Sequence, residues 1–202
     1  MMKLILVRHG QTDENISKTI QGQLPGKLSL KGIEQAKKVG IRLKDEKIDT
    51  AYVSDLARVV DTAKKIIQYH PKILFIEEKA LRERSWGIWE GKNSKERNAF
   101  LEKQGLTLNS YKPEGGESFF EVQKRIVDFY QMLLQKYHEE TVLLISHGGT
   151  LTALYLFLFE KPVEEYKKYH PQNTAITILE ISDDKKHTVH LLNCVKHLEE
   201  LH

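Results

Sequence analysis

Histidine and glycine follow two of the most apolar segments of the chain, and in one of the two cases an arginine stands before the histidine. The triplet 8–10 (RHG) comes directly after the run 3–7 (KLILV), and the triplet 147–149 (HGG) follows the run 141–146 (TVLLIS). Guanidinium forks match phosphate oxygens, and glycines let the backbone approach an anion closely. A helix that begins after the second triplet adds free N–H groups. These residue types predict a pocket for a compact tetrahedral dianion.

Two further charged side chains follow shorter predicted strands. Arg58 lies one helical turn after one of them, and Glu83 follows another. Ligands of open α/β sheets bind beyond the carboxyl ends of the parallel strands, so these groups should share one edge with His9 and His147. The coincidence favours a reactive site over isolated surface charges.

The predicted pocket would also set the chemistry of its histidines. Nearby positive charge disfavours an imidazolium, and a neutral imidazole with a free lone pair is a nucleophile near pH 7. The residues alone do not decide which of His9 and His147 attacks. A leaving alkoxide needs a proton, and a carboxyl group that faces a dianion retains its proton longer than usual. Glu83 is the candidate acid, and it could then deprotonate the water that cleaves a phosphohistidine.

Less specific interpretations compete with this one. A single histidine after a strand is more often a surface or capping residue than a catalyst. The histidines that we interpret as ordinary surface or core residues are His70, His138, His170, His187, His190, His197 and His202. A metal site is not predicted, because no H-x-x-x-H pattern is present and two arginines near His9 would repel a divalent cation. Nucleotide-binding glycine loops are also missing from the sequence.

Apolar periodicity supplies the elements that would position these side chains. A capping box, Ser118 with Glu121, opens one long amphipathic helix. Strands that alternate with helices predict a three-layer α/β/α sandwich with a mostly parallel central sheet. The predicted strands are 3–7, 50–53, 73–77, 141–146 and a terminal hairpin of 174–181 with 187–192, and the predicted helices are 29–44, 55–68, 94–104, 118–137 and 149–159.

Length and composition set the remaining limits. The 202 residues suit a single domain, 1–202, in which the irregular stretch 79–117 is an inserted lid or side wall. A net charge of +3 requires neither nucleic acid nor a membrane surface as partner. One cysteine excludes an internal disulfide, and no apolar run approaches the length of a membrane span. Without a signal-peptide pattern, the cytoplasm is the expected location.

The ordered motifs resemble those of the histidine phosphatase superfamily, the phosphoglycerate mutase-like group also called branch 1. The segment 6–12 (LVRHGQT) resembles its L-x-R-H-G-[EQ]-T signature. Further motifs follow in the family's order over nearly all of the chain: Asn15, Gln21-Gly22, 28–36 (LSLKGIEQA), 54–63 (SDLARVVDTA), 81–91 (LRERSWGIWEG), 115–118 (GGES), 146–149 (SHGG) and Asn173-Thr174.

The resemblance implies a fold and a role for each site residue. It implies the phosphoglycerate mutase-like fold, with His9 as the nucleophile and Glu83 as the proton donor. Arg8, Arg58 and His147 would hold the phosphoryl group. Further phosphate or substrate contacts are implied for Asn15, Gln21, Gly22 and Gly148. Members of the family need no metal, and no cofactor is expected.

Three activities remain in competition. The short chain favours a phosphatase of the fructose-2,6-bisphosphatase-like, broad-specificity or α-ribazole phosphatase type, because mutases of the group are similar but longer. The alternative is a phosphoglycerate mutase dependent on 2,3-bisphosphoglycerate. A phosphate-sensing protein with a relic site is disfavoured by the intact nucleophile and acid. The expected partner is a small phosphorylated metabolite. The oligomeric state stays open, with a homodimer as one expectation.

Two features of the insert have uncertain roles at this point. Trp86 and Trp89 either wall the substrate pocket or pack the insert against the core. Five cations between positions 85 and 120 suggest a multiply anionic substrate, but a solvated lid face is the better interpretation. These cations are Lys92, Lys95, Arg97, Lys103 and Lys112.

Overall fold

Six strands form one sheet in the computed structural model, which describes residues 1–199. Their order is β3-β2-β4-β1-β5-β6. The first four pair in parallel, whereas the last two form an antiparallel hairpin beside β1. The predicted mostly parallel sheet is therefore confirmed; His202 lies outside the described residues. The strands are β1 (Met2–Arg8), β2 (Thr50–Val53), β3 (Leu74–Glu77), β4 (Thr141–Ser146), β5 (Ile176–Ile181) and β6 (His187–Cys194).

Helices connect the strands and cover both faces of the sheet. Over the described residues they are α1 (Asp13–Ser17), α2 (Leu30–Leu43), α3 (Ala57–Ile67), α4 (Ser94–Lys103), α5 (Phe119–Lys136), α6 (Gly148–Leu158) and α7 (Tyr166–Tyr169). Short 3₁₀ turns occur at Lys79–Leu81, Gly87–Trp89, Val163–Glu165 and Lys196–Leu198. The short helices α1 and α7 were not predicted, because one or two turns are too few to show an apolar period. No helix in this part of the chain combines the length and apolarity needed to cross a membrane.

Several element boundaries differ from the prediction by one or two residues, and two of these differences have a clear local reason. β5 begins at Ile176 rather than at 174, because Thr174 has a φ of 57° and cannot continue a strand. α3 begins at Ala57 rather than at 55, because Leu56 is still extended and Asp55 is engaged elsewhere by the guanidinium of Arg82. Both differences lie next to residues of the site described below.

The two faces of the sheet carry separate apolar clusters. Leu4 and Leu6 of β1 pack on the side of α5 and α6, and Ile5 and Val7 pack on the side of α2 and α3. Successive side chains of a strand point to opposite faces, so a continuous apolar run such as 3–7 needs helices on both sides. The result is the predicted three-layer α/β/α sandwich.

Strand register brings the carboxyl ends of the parallel strands to one edge. Arg8 of β1 lies beside Ser146 of β4, and Val53 of β2 lies beside Ile145. The first residue after β1 is still in the ladder, because the His9 amide donates to the Ser146 carbonyl at 3.0 Å. The residues that follow these strands therefore begin their loops side by side.

The long helix α5 closes one face of the sandwich. Its capping box is present as predicted, since the Glu121 amide donates to Ser118 Oγ at 3.2 Å and the Ser118 amide donates to Glu121 Oε2 at 2.7 Å. Leu133 of α5 is fully buried, whereas its neighbour Met132 is 36 % exposed. The inward face of α5 is therefore well separated from its outward face.

Truncating Leu133 tests this assignment of faces. Leu133→Ala should lower the free energy of unfolding by about 2–5 kcal/mol, because it removes buried methyl groups and leaves a cavity. Met132→Ala, the matched control on the exposed face, should change it by less than about 1 kcal/mol. The measurement is urea unfolding followed by circular dichroism. Equal losses for the two variants would contradict the orientation of α5.

Candidate active site

His9 stands at the end of β1 with one ring nitrogen committed to the backbone. The side chain is only 2 % exposed, and Nδ1 lies 2.7 Å from the carbonyl oxygen of Gly10. A carbonyl can only accept, so Nδ1 carries the proton and Nε2 keeps its lone pair. The turn after His9 requires glycine, because a Cβ at Gly10 would lie 2.5 Å from the Gly32 carbonyl oxygen. The ring is therefore held in one tautomer against a tightly packed backbone.

His147 is the second imidazole of the site. It is fully buried, and its ring centroid lies 5.2 Å from that of His9 at an interplanar angle of 63°. Nε2 lies 2.8 Å from Ser54 Oγ, a residue that follows β2. Nδ1 is buried and finds no hydrogen-bond partner within residues 1–199. One ring nitrogen of His147 is thus left for a ligand.

Burial and positive charge keep both imidazoles neutral. Burial first, and then Arg58 and Arg8, hold the pKa of His9 well below its ordinary value of 6.5. Burial and then Arg58 have the same effect on the pKa of His147. The neutral state expected from the sequence thus has a physical cause in the fold.

The guanidinium of Arg58 is buried and is surrounded by main-chain carbonyls of the loop 22–25. Nη1 donates to the carbonyls of Leu24 and Pro25, and Nη2 donates to the carbonyl of Gly22 at 2.8 Å. Nε is buried and makes no hydrogen bond to the described residues. Three of the five N–H groups are therefore used for positioning, and Nε–H and one hydrogen of Nη2 remain for an anion. Burial lowers the pKa of Arg58 to about 10, so it is a cation near pH 7.

Arg8 is held by a loop near the other end of the chain. Nη1 donates to the Pro171 carbonyl at 2.6 Å and lies 3.4 Å from His170 Nε2. Thr152 Oγ1 donates to the Gly148 carbonyl at 2.6 Å, so it must accept from His170 Nδ1, which lies 3.1 Å away. This fixes the His170 proton on Nδ1 and leaves Nε2 to accept from Arg8.

The interpretation of His170 as an ordinary residue was therefore wrong. His170 lines a cavity that Arg8, His9 and Arg58 also line, and it contacts Arg8, which is 162 positions away in the sequence. Burial, and then Arg8, lower the pKa of His170 to about 4, so the ring stays neutral and can accept a hydrogen bond. No local pattern marks this histidine, because its partner is far away in the sequence.

Glu83 is clamped against the start of α6. Oε2 accepts from the Gly149 amide at 3.0 Å, and Oε1 accepts from the Arg84 amide at 2.9 Å. A Cβ at Gly149 would lie 2.4 Å from Glu83 Oε1, and one at Gly148 would lie 3.1 Å from Arg8 Cζ. The two glycines are thus needed for close packing. The expectation of free N–H groups at this helix start was only partly right, because Glu83 takes the Gly149 amide.

The remaining predicted residues surround the same space. Asn15 Oδ1 accepts from the Thr12 amide at 3.1 Å and from Asn173 Nδ2 at 3.4 Å, which leaves the NH₂ group of Asn15 for a ligand. Gln21 lines the cavity, and its Oε1 is buried without a partner among residues 1–199. Gly22 also lines the cavity and has a φ of 51°, a conformation that favours glycine.

A cavity of about 390 Å³ brings most of these groups together: it is lined by Arg8, His9, Asn15, Gln21, Gly22, Arg58, Glu83 and His170. His147 and Gly148 are not part of its lining. A second cavity of about 280 Å³ adjoins it and shares five lining residues: Arg8, Glu83, Trp86, Arg97 and His170. The two tryptophans of the insert have different roles. Trp86 walls both cavities, whereas Trp89 is buried against Phe100 and donates to Tyr111 Oη at 3.1 Å. Of the five cations between positions 85 and 120, Arg97 alone is buried; the four lysines are exposed as expected.

The space has the size of a small metabolite and a strongly cationic lining. A neutral nucleophilic imidazole, two fixed guanidiniums and a carboxyl group suit phosphoryl transfer. In the described part of the chain, no group of three or more histidine, cysteine, aspartate or glutamate residues is arranged to hold a metal ion.

Comparison with known proteins places the chain in a family. The model of the histidine phosphatase superfamily, branch 1, matches residues 4–194. The chain belongs to this superfamily. The predictions of family, of fold and of a phosphatase enzyme are confirmed, while the roles of the individual residues stay predictions.

Individual relatives of this histidine phosphatase have differing names. It is 31 % identical to phosphoglycerate mutase-like protein 4 of Arabidopsis thaliana, over 98 % of this chain and 87 % of that protein. It is 35 % identical to a metal-independent phosphoserine phosphatase of the same plant, over 76 % of this chain and 67 % of that protein. The solved structure of Bacillus stearothermophilus YhfR matches with a TM-score of 0.90 and 28 % identity, over 98 % of this chain and all of that one.

Acid should destabilise the protein through His9 and His147. Both have folded-state pKa values below 6.5, so the unfolded chain binds protons there that the folded chain does not. The free energy of unfolding should therefore fall as the pH drops below about 6.5. Urea unfolding at about pH 7.5 and about pH 5.5 measures this, and His147→Gln should show a smaller pH effect than the wild type. NMR signals of both imidazoles that titrate above pH 6.5 would contradict the assignment.

His170→Ala tests the support of Arg8. The variant removes the acceptor for Nη1, so competitive inhibition by inorganic phosphate should weaken by about 5- to 10-fold, the usual value of one hydrogen bond. His190→Ala is the control, because His190 is exposed on β6. An inhibition constant identical to that of the wild type would mean that the Pro171 carbonyl alone positions Arg8.

Proposed function

We propose that this enzyme hydrolyses small phosphomonoesters through a phosphohistidine on His9, without a metal ion. One observation carries the proposal: His9 Nδ1 is bound to the Gly10 carbonyl, which leaves the Nε2 lone pair on a neutral ring between two buried guanidiniums. This is the state that a histidine nucleophile needs, and the guanidiniums can neutralise the charge of the phosphoryl oxygens.

In the first half-reaction, His9 Nε2 attacks the phosphorus and the bond to the ester oxygen breaks. Arg8, Arg58 and His147 Nδ1 hold the non-bridging oxygens. The departing alkoxide takes a proton from the carboxyl group of Glu83, which the Gly149 amide keeps in place. The products are the free alcohol, a phosphohistidine and a carboxylate at Glu83.

In the second half-reaction, water attacks the phosphorus of the phosphohistidine. Glu83, now a carboxylate, accepts a proton from that water, and His9 Nε2 leaves with its electron pair. Inorganic phosphate departs and the enzyme returns to its starting protonation state. The same carboxyl group thus serves as acid and then as base.

The other predicted residues complete the phosphate shell. Asn15 has only its NH₂ group free, so it would donate to an oxygen of the phosphoryl group. Gln21 borders the same cavity, and Gly148 offers the first amide of α6. Gly22 contributes most through its carbonyl, which positions Arg58.

Phosphatase is the favoured activity over mutase. The named phosphoserine phosphatase relative supports hydrolysis, and the mutase-like relative supports the alternative, a phosphoglycerate mutase dependent on 2,3-bisphosphoglycerate. Both would use the same residues. A small phosphorylated metabolite as substrate, the cytoplasm as location and a homodimer as assembly are further parts of the proposal.

Removal of His9 tests the nucleophile. His9→Ala should reduce phosphate release from p-nitrophenyl phosphate by roughly 10³-fold or more, because it removes the proposed nucleophile. The wild type should keep its rate in EDTA. Quenched with detergent at alkaline pH, it should yield a phosphohistidine that is stable to base and labile to acid. His190→Ala serves as the matched histidine control. Activity that persists in His9→Ala, or that EDTA abolishes in the wild type, would refute the mechanism.

A second assay distinguishes phosphatase activity from phosphoglycerate mutase activity. The wild type is incubated with 3-phosphoglycerate, with and without 2,3-bisphosphoglycerate, while 2-phosphoglycerate and free phosphate are quantified. We expect free phosphate as the main product. Rapid isomerisation without net hydrolysis would establish the mutase instead.

A further inference from the structure

Arg97 is a buried cation without an acidic partner. It lies on the inward face of α4 with Leu101, four residues later, and is only 9 % exposed. Nε and Nη2 both donate to Asn98 Oδ1, at 3.3 and 2.9 Å, and Nη1 makes no hydrogen bond within residues 1–199. No carboxylate of the described chain lies within 4.0 Å of its guanidinium. A desolvated charge of this kind costs stability unless something else compensates it.

Arg84 provides the contrast within the same wall. Both guanidiniums lie over the ring of Trp86, with Cζ atoms 4.1 Å (Arg84) and 4.3 Å (Arg97) from its centroid. All three nitrogens of Arg84 donate to main-chain carbonyls, those of Glu117, Leu108 and Tyr111. Arg84 therefore has a structural role, whereas Nη1 of Arg97 donates to none of the described residues.

The surroundings of Arg97 favour an anion. Burial and the nearby charge of Arg84 lower its pKa to about 10, so the group is a cation near pH 7 that lacks a counter-charge. Arg97 lines the cavity that also contains His9 and Arg58, and it lines the adjoining cavity as well. A molecule whose phosphoryl group lies at His9 can therefore reach Arg97 within one continuous space.

We infer that Arg97 binds a second oxyanion of the substrate, a carboxylate or a further phosphate, while its first phosphoryl group lies at His9. This inference rests on the proposed function and adds a specificity-determining residue to it. Trp86 supports the guanidinium from one side, and the free Nη1 donors match the oxygens of a planar or tetrahedral anion. The preferred substrates would thus be phosphomonoesters that carry another acidic group.

Matched substrate pairs test the inference. Glycerol 1-phosphate differs from 3-phosphoglycerate only by a CH₂OH group in place of the carboxylate, and fructose 6-phosphate lacks one phosphate of fructose 1,6-bisphosphate. In at least one pair, the wild type should prefer the more acidic member by about 10- to 100-fold in kcat/KM for phosphate release, as expected for a charge-assisted contact. The pair that shows the preference identifies the class of oxyanion.

Arg97→Met should reduce this preference to about threefold or less, because it keeps the apolar stem but removes the charge. Arg97→Lys should retain part of it. The control is Lys95→Met, which removes a cation from the exposed face of the same helix and should leave the preference unchanged. The preference is a ratio between two substrates on one enzyme, so partial unfolding of a variant cancels.

Two results would overturn the inference: no preference in the wild type, or a preference that Arg97→Met leaves intact. If the wild type releases phosphate from no substrate, the proposed function fails separately. Calorimetric binding of 3-phosphoglycerate, fructose 1,6-bisphosphate and their less acidic counterparts to the wild type and Arg97→Met then decides the inference. Equal affinities within both pairs would refute it, and tighter binding of an acidic member that depends on Arg97 would support it.

Discussion

The site depends on holding two guanidiniums beside uncharged imidazoles. Arg8 and Arg58 would repel an imidazolium, and the burial of His9 together with these charges makes the neutral ring the stable form. Neither guanidinium forms an ion pair with a carboxylate of the described residues, so their proximity is unfavourable by itself. In the proposed function, a phosphate dianion would supply the counter-charge. The rest of the fold holds these cations in place against their mutual repulsion.

Hydrogen bonds to main-chain carbonyls hold each guanidinium in place on its side of the cavity, despite the repulsion between the two. The Gly22–Pro25 loop surrounds Arg58, and the Pro171 carbonyl with His170 holds Arg8. Glu83 is the carboxyl group that acts on both guanidiniums, and the Gly149 amide at the start of α6 fixes its position. Glycines at 148 and 149 make this possible, because a side chain at either position would displace Arg8, His170 or Glu83. Electrostatics and close packing therefore constrain the same few residues.

The sequence predicted the groups whose position follows from strand ends. Apolar runs such as 3–7 and 141–146 end abruptly at His9 and His147, and parallel pairing then requires that both lie at one edge. His170 could not be predicted in this way, since its contact with Arg8 depends on how a late loop packs over the sheet. Boundaries such as that of β5 failed for a similar reason: the left-handed Thr174 has no sequence signature.

Arg97 shows a different limit of sequence reasoning. The five cations between positions 85 and 120 cannot be told apart by composition, and docking of α4 buries one of them while four stay exposed. The spacing of Arg97 and Leu101 on one helical face was an available signal, but a single apolar partner is too little to establish an inward face. The insert lacks a regular period, so tertiary packing decides which of its side chains reach the cavity.

The loop around Arg58 holds its guanidinium entirely with main-chain carbonyls. The side chain at position 24 can therefore vary without loss of these acceptors, provided that the path of the chain is kept. Gln23 is more constrained, because its side chain donates to the Glu83 carbonyl and accepts from Arg82. Gly22 lacks this freedom, because a Cβ there would lie 2.1 Å from Glu90 Oε1. Divergence among descendants of this enzyme should accordingly be tolerated at position 24 and restricted at Gly22. A cation held by main-chain carbonyls can in this way keep its place while a side chain of the enclosing loop changes.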